Sequence, residues 1–207
     1  MKYYRMGVIC DTLKNTYDKN FESENYVFLH NKMVSVFKVL SNNNDVKEFF
    51  VPCCNTTGLI ATTAAIKARE EIRKCNRNAK VVAYIPLRDM QSRFTSEEEL
   101  KMWNYIKKNA DRILVYKSSE ERLQVNELAM YKAVAKASDI VLGVMSFKDK
   151  EIFINKRSGI SGNIKMTCAI SGINEAIINK KPVRMLEMDE VTYYDFSKKH
   201  MLRWYYF

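Results

Sequence analysis

Ser158-Gly159-Ile160-Ser161-Gly162-Asn163 stands between an apolar run of strand length, Ile140-Val141-Leu142-Gly143-Val144, and a series at helical spacing, Met166, Ala169, Ile170, Ile173, Ala176 and Ile177. After that series Lys180-Lys181-Pro182 breaks the chain, and Val183-Arg184-Met185-Leu186 reads as another strand. Strand, small-residue loop, helix and strand in this order form a β-α-β unit. A loop of Gly, Ser and Asn opening a helix gathers backbone N–H groups at the positive end of the helix dipole, which suits a phosphate or another anion. The plainer alternative is a polar loop in which Asn163 or Ser161 caps the helix.

The same rhythm runs upstream. Met6 to Cys10 is a short apolar run ending in Asp11-Thr12, and Glu22 to Leu40 predicts a long helix with Tyr26, Leu29, Met33, Phe37 and Leu40 on one face, stopped by Ser41 to Asn44. Lys47 to Val51 is the second strand, ended by Pro52. A helix runs to Cys75, and Ala79 to Ile85 is a third strand, closed by Pro86. Glu97 to Ala110 and Glu121 to Lys136 read as helices around a strand at Arg112 to Tyr116, and Lys148-Asp149-Lys150 could turn a hairpin into Glu151 to Asn155. Six strands alternating with five helices imply an α/β fold: a Rossmann-like, doubly wound, mainly parallel sheet with helices on both faces. In such sheets ligands bind beyond the C-terminal strand ends, where the strand order reverses. The unusual loops all leave predicted strand ends: Asp11-Thr12, Cys54 to Gly58, Pro86 to Arg88, and Ser158 to Asn163.

Composition sets the bounds. At 207 residues, 47% of them hydrophobic, the chain reads as one domain over 1–207, with 187–207 as an aromatic C-terminal extension. No apolar run approaches the roughly 20 residues of a spanning helix, and Met1 to Met6 carries no signal-peptide core, so a cytoplasmic protein is expected. Five cysteines, none spaced Cys-x-x-Cys, and only His30 and His200 argue for free thiols and against zinc. No metal and no cofactor are expected: neither a Walker loop nor Gly-x-Gly-x-x-Gly is present.

The net charge of +10 invites a nucleic-acid partner. Many Lys and Arg residues nevertheless alternate with acids, as in Lys67 to Lys74, the pattern of a solvated helix face. Lys148, Lys150, Lys156, Arg157 and Lys165 differ, because they bracket the Gly loop and could serve one small anionic ligand. Candidate ligand contacts are therefore Asp11, Thr12, Asn55, Thr56, Thr57, Gly58, Arg88, Arg157, Ser158, Gly159, Ser161, Gly162, Asn163 and Lys165. For Asn55 to Gly58 the alternative is helix capping and close packing; for Asp11, a base or ribose-hydroxyl ligand, it is a turn residue. No catalytic set is assigned. Neither histidine lies at a strand end, and the remaining acids at candidate loops are Asp89 and Asp149, with Glu175 two turns into the last helix. Trp204-Tyr205-Tyr206-Phe207 either packs over an edge of its own domain or meets a second subunit, and a homo-oligomer is expected.

Several of these segments, taken in order, resemble the YpsA-like branch of the SLOG superfamily: Ala79 to Pro86, Gln91, Leu123-Gln-Val-Asn126, Lys136-Ala-Ser138-Asp139-Ile-Val-Leu-Gly143, Gly162-Asn163 and Lys181-Pro182-Val183. The resemblance covers about 49–186 and implies a Rossmann-like fold binding a nucleotide or nucleotide-derived ligand, as a sensor or sequestering protein. Related DprA-like proteins and Lonely Guy phosphoribohydrolases imply two alternatives. One is single-stranded nucleic-acid binding; the other is cleavage of a nucleotide N-glycosidic bond, phosphoribohydrolase-like or nucleoside deoxyribosyltransferase-like, with Asp11 or Glu175 as the acid. The Lonely Guy Pro-Gly-Gly-x-Gly-Thr-x-x-Glu motif is absent, so its glutamate has no counterpart here, and Cys53 to Gly58 is poorer in glycine than the corresponding loop of the relatives.

Overall fold

A computed structural model of the chain describes residues 3–11, 24–75, 77–117, 123–146, 167–188 and 202–206. They form strands β1 (Arg5–Cys10), β2 (Glu48–Pro52), β3 (Lys80–Leu87), β4 (Arg112–Lys117), β5 (Ile140–Ser146), β6 (Val183–Met188) and β7 (Leu202–Tyr206). The helices are α1 (Glu24–Asn44), α2 (Thr56–Lys74), α3 (Glu97–Asn109), α4 (Leu123–Ala137) and α5 (Cys168–Ile178), with a short 3-10 turn at Met90–Arg93. The sheet order is β4-β3-β2-β1-β5-β6-β7. β1 to β6 are parallel, and β7 runs antiparallel along β6. This is the expected Rossmann-like α/β architecture.

The two faces of the sheet separate the helices. Leu29, Met33 and Phe37 of α1, Ile60, Ala64 and Ala68 of α2, and Trp103 and Ile106 of α3 cover one face, over Val8, Phe49, Val81 and Leu142. Met130, Tyr131 and Ala135 of α4 pack with Ile170 and Ile173 of α5 on the other, over Ile9, Val141 and Met185. Successive strand residues point to opposite faces, and both faces are apolar, so the strands read as unbroken hydrophobic runs. α4 and α5 approach closely at Gly172, where a Cβ would lie 2.8 Å from Tyr131 Cβ.

Several boundaries differ from expectation, each for a local reason. α1 does not stop at Ser41; it continues to Asn44 and ends at Asp45, whose φ of 59° leaves the helix. The Ser41 hydroxyl donates to Val46 O at 2.9 Å, so the polar residue is consumed inside the last turn. β3 runs through Pro86 to Leu87. Cys53 N donates to Tyr84 O at 2.7 Å, which puts alternate residues of β3, and hence Pro86, on the β2 side just where β2 has ended. A missing N–H there removes no ladder bond. The hairpin expected at Glu151 to Asn155 lies outside the described residues. No helix among the described residues is long and apolar enough to cross a membrane.

Candidate functional site

From β1 the chain steps outward to β2, β3 and β4; from β4 it crosses back to β5 and β6 on the other side of β1. The order therefore reverses between β1 and β5, and the crevice above this switch point is where α/β sheets take their ligands. Asp11, the residue after β1, stands there. Its backbone N donates to Val144 O of β5 at 3.0 Å, and the residue is 8% exposed.

Thr167 reaches Asp11 from the far side of the switch. Its hydroxyl donates to Asp11 Oδ2 at 2.8 Å and accepts from Ile170 N at 3.2 Å, making Thr167 the N-cap of α5. A carboxylate only accepts, so the one hydroxyl proton goes to Asp11 while the oxygen takes the helix amide. The N-cap of α5 is thus Thr167; Asn163 and Ser161, the caps of the plainer sequence reading, lie outside the described residues.

The end of β2 and the first turns of α4 supply the rest. Tyr131, fully buried, donates its hydroxyl to Cys10 O at 2.6 Å and lies 3.2 Å from Cys54 Sγ. Cys54 Sγ also points at Glu127 Oε1, 3.5 Å away. Burial raises the pKa of the Glu127 carboxyl, and the Asp11 charge pushes the same way; the hydrogen bond from Cys54 opposes them in part. Desolvation also raises the thiols. Cys53 is pushed up to about 12 and Cys168 to about 11, the latter helped by the charges of Glu127 and Asp11; Cys10 and Cys54 rise as well. Thiols held protonated are poor nucleophiles.

The other sequence candidates fall into three groups. Asn55 is the N-cap of α2, its side chain accepting from Gly58 N at 2.8 Å. Thr56 Oγ1 donates to Glu99 Oε1 at 2.7 Å, tying this loop to the Ser96–Glu99 capping box of α3; Thr57 is buried; and a Cβ on Gly58 would meet the Pro52 carbonyl oxygen. The contacts just described for Asn55 and Gly58 are thus those of capping and packing, at the C-terminal edge of the sheet. Arg88 is exposed immediately after β3. Thr12, Arg157, Ser158, Gly159, Ser161, Gly162, Asn163 and Lys165 lie outside the described residues, as do Asp149 and His200.

Glu175 sits two turns along α5, away from the crevice, bonded to Asn179 and 3.4 Å from Lys136 Nζ. Asp89 begins the 3-10 turn after β3. Half-buried His30 lies in α1, where burial lowers its pKa. Among the described residues no three His, Cys, Asp or Glu side chains are grouped to hold a metal ion.

Cys10, Cys53 and Cys54 are expected from the sequence near the same edge as Asp11, as packing residues; Glu127, Tyr131 and Thr167 were not singled out by sequence reading. The signal available for two of them was spacing: Glu127 and Tyr131 are four apart on α4 and share a helix face. No family model matches the chain. No curated protein matches it either.

Proposed function

We propose that this protein binds a nucleotide or nucleotide-derived small ligand at the C-terminal strand ends, as a sensor or sequestering protein. The observation that carries the reading is Asp11, a carboxylate at the switch point held by the α5 cap. A buried carboxylate there is suited to accept hydrogen bonds from sugar hydroxyls. The basic residues around the Gly loop, Arg157 and Lys165 among them, would take the phosphate. The ordered resemblance to the SLOG superfamily supports the same ligand class. Mass spectrometry of small molecules released from the purified protein tests this directly: a nucleotide or nucleotide derivative is the expected find.

One observation favours a second reading, cleavage of an N-glycosidic bond. Glu127, its carboxyl raised by burial, lies close enough to Asp11 to feel its charge. A carboxyl whose pKa is raised suits an acid, and a second carboxyl beside it could serve as the base. Glu127 would protonate the departing base, water would attack the sugar C1′, and Asp11 would take the water's proton. Free base appearing on incubation with nucleoside monophosphates distinguishes this enzyme from the binder.

Polynucleotide binding is the reading least favoured. Described basic residues such as Lys38, Arg69, Arg73, Lys101 and Lys136 are paired with acids, so they do not form an open cationic track. Five free cysteines support a reducing compartment, the cytoplasm. The aromatic run Trp204-Tyr205-Tyr206 belongs to β7, the edge strand of the sheet, which supports a homo-oligomer built along that edge. Deleting 201–207 is then expected to lower the mass measured by light scattering; a full-length monomer overturns this part.

A further inference from the structure

Tyr131 is among the largest fully buried side chains, packed with Ile9, Met130, Ile170 and Ile173 between the sheet and its second helix layer. A phenylalanine would satisfy that packing equally. The hydroxyl needs its own reason, because a buried hydroxyl is unfavourable unless it is paired.

Its partner is the carbonyl of the residue before Asp11. β1 is registered with β2 from Arg5 to Gly7 but with β5 from Met6 to Cys10, so the last residues of β1 extend past the registered pairing with β2. Asp11 N faces β5, through its bond to Val144 O, and by alternation along the strand the Cys10 carbonyl faces β2. The Tyr131 hydroxyl takes that carbonyl at 2.6 Å, and Cys54, at the end of β2, closes the same gap 3.2 Å from the phenol oxygen. Asp11 is therefore held on two sides: its main chain through Tyr131 on α4, its carboxylate through Thr167 at the cap of α5.

We propose that Tyr131 is a positioning residue for the ligand site, its hydroxyl fixing the end of β1 so that Asp11 meets the ligand in one geometry. The proposal rests on the reading of Asp11 as a ligand-binding carboxylate. It adds a residue that touches no ligand and acts through its neighbour.

Two measurements test it. Hydrogen exchange of the ligand-free protein compares the Asp11 amide with the Val141 amide, which donates to Pro182 O near the other end of the sheet. Tyr131→Phe is expected to speed exchange at Asp11 about tenfold and leave Val141 unchanged. Equal acceleration at both amides, or none at Asp11, overturns the proposal.

The second measurement is a double-mutant cycle in affinity for adenosine 5′-monophosphate. Tyr131→Phe should weaken binding roughly tenfold in the native background and less than about twofold beside Asp11→Asn, because removing the carboxylate removes what the tyrosine positions. Equal losses in both backgrounds would assign the tyrosine a purely structural role. If the native protein does not bind this nucleotide, the failure lies with the ligand reading, and the exchange comparison alone decides the role of Tyr131.

Discussion

The Thr167 hydroxyl lies 2.8 Å from Asp11 Oδ2, so a single side chain caps α5 and grips the carboxylate at the end of β1. The two elements belong to opposite sides of the sheet's reversal. Their junction is where the chain brings helix-terminus and carboxylate chemistry together.

Thr167→Val removes both bonds and leaves the shape nearly intact. It should lower the unfolding free energy by about 1–2 kcal/mol, the usual loss for an N-cap. Thr167→Ser should recover most of it. Urea denaturation of the three proteins measures this, and a valine variant as stable as the native chain would show that the cap contributes nothing.

Glu127 predicts a pH dependence of a definite sign. Its folded-state pKa is raised, chiefly by burial, so the folded protein holds this proton more tightly than the unfolded chain. Its contribution to stability is therefore full below the ordinary glutamate pKa and is lost as pH rises through the folded value. Glu127→Gln cannot ionise. Relative to the native protein it should gain stability as pH climbs through that window, read from denaturation midpoints at several pH values. A difference that is flat with pH, or that falls, contradicts the assignment.

Gly58 is inside α2, where alanine ordinarily adds about 1 kcal/mol of helix propensity. Here the added methyl would meet the Pro52 carbonyl oxygen and sit 3.3 Å from the capping oxygen of Asn55. A backbone atom cannot step aside, so Gly58→Ala should destabilise by about 1–3 kcal/mol despite the propensity gain. Thermal unfolding of the variant decides it, since a raised melting temperature would mean that the loop relaxes freely.

Much of the fold was legible because each core strand is an unbroken apolar run and each helix carries one apolar face. Phe49 to Val51 and Ile140 to Val144 needed no partner to be recognised. Boundaries were less legible where tertiary context decides. Pro86 looks like a strand end until β2 is known to stop beside it, and Ser41 looks like a helix stop until its hydroxyl finds Val46 O. Asp11 could be singled out because it follows a strand directly. Glu127 and Thr167 could not, because they meet only through the crossover that places β5 beside β1, and no local pattern encodes that adjacency. Asn55 has a visible capping role in its own sequence; Thr56 does not reveal Glu99, which lies 43 residues away.

The central claim is that Asp11 and the strand ends around it hold a nucleotide-derived ligand. Thermal unfolding of the native protein and of Asp11→Asn, with a panel of nucleoside monophosphates and the matching nucleosides, tests it most directly. Ligand at about 100 times its dissociation constant stabilises a native state by about 2.7 kcal/mol. A clear rise in melting temperature is expected with at least one phosphorylated nucleotide, a much smaller rise with its nucleoside, and loss of most of the rise in Asp11→Asn. Equal shifts for nucleotide and nucleoside, an unaltered shift in Asp11→Asn, or no shift across the panel would contradict it.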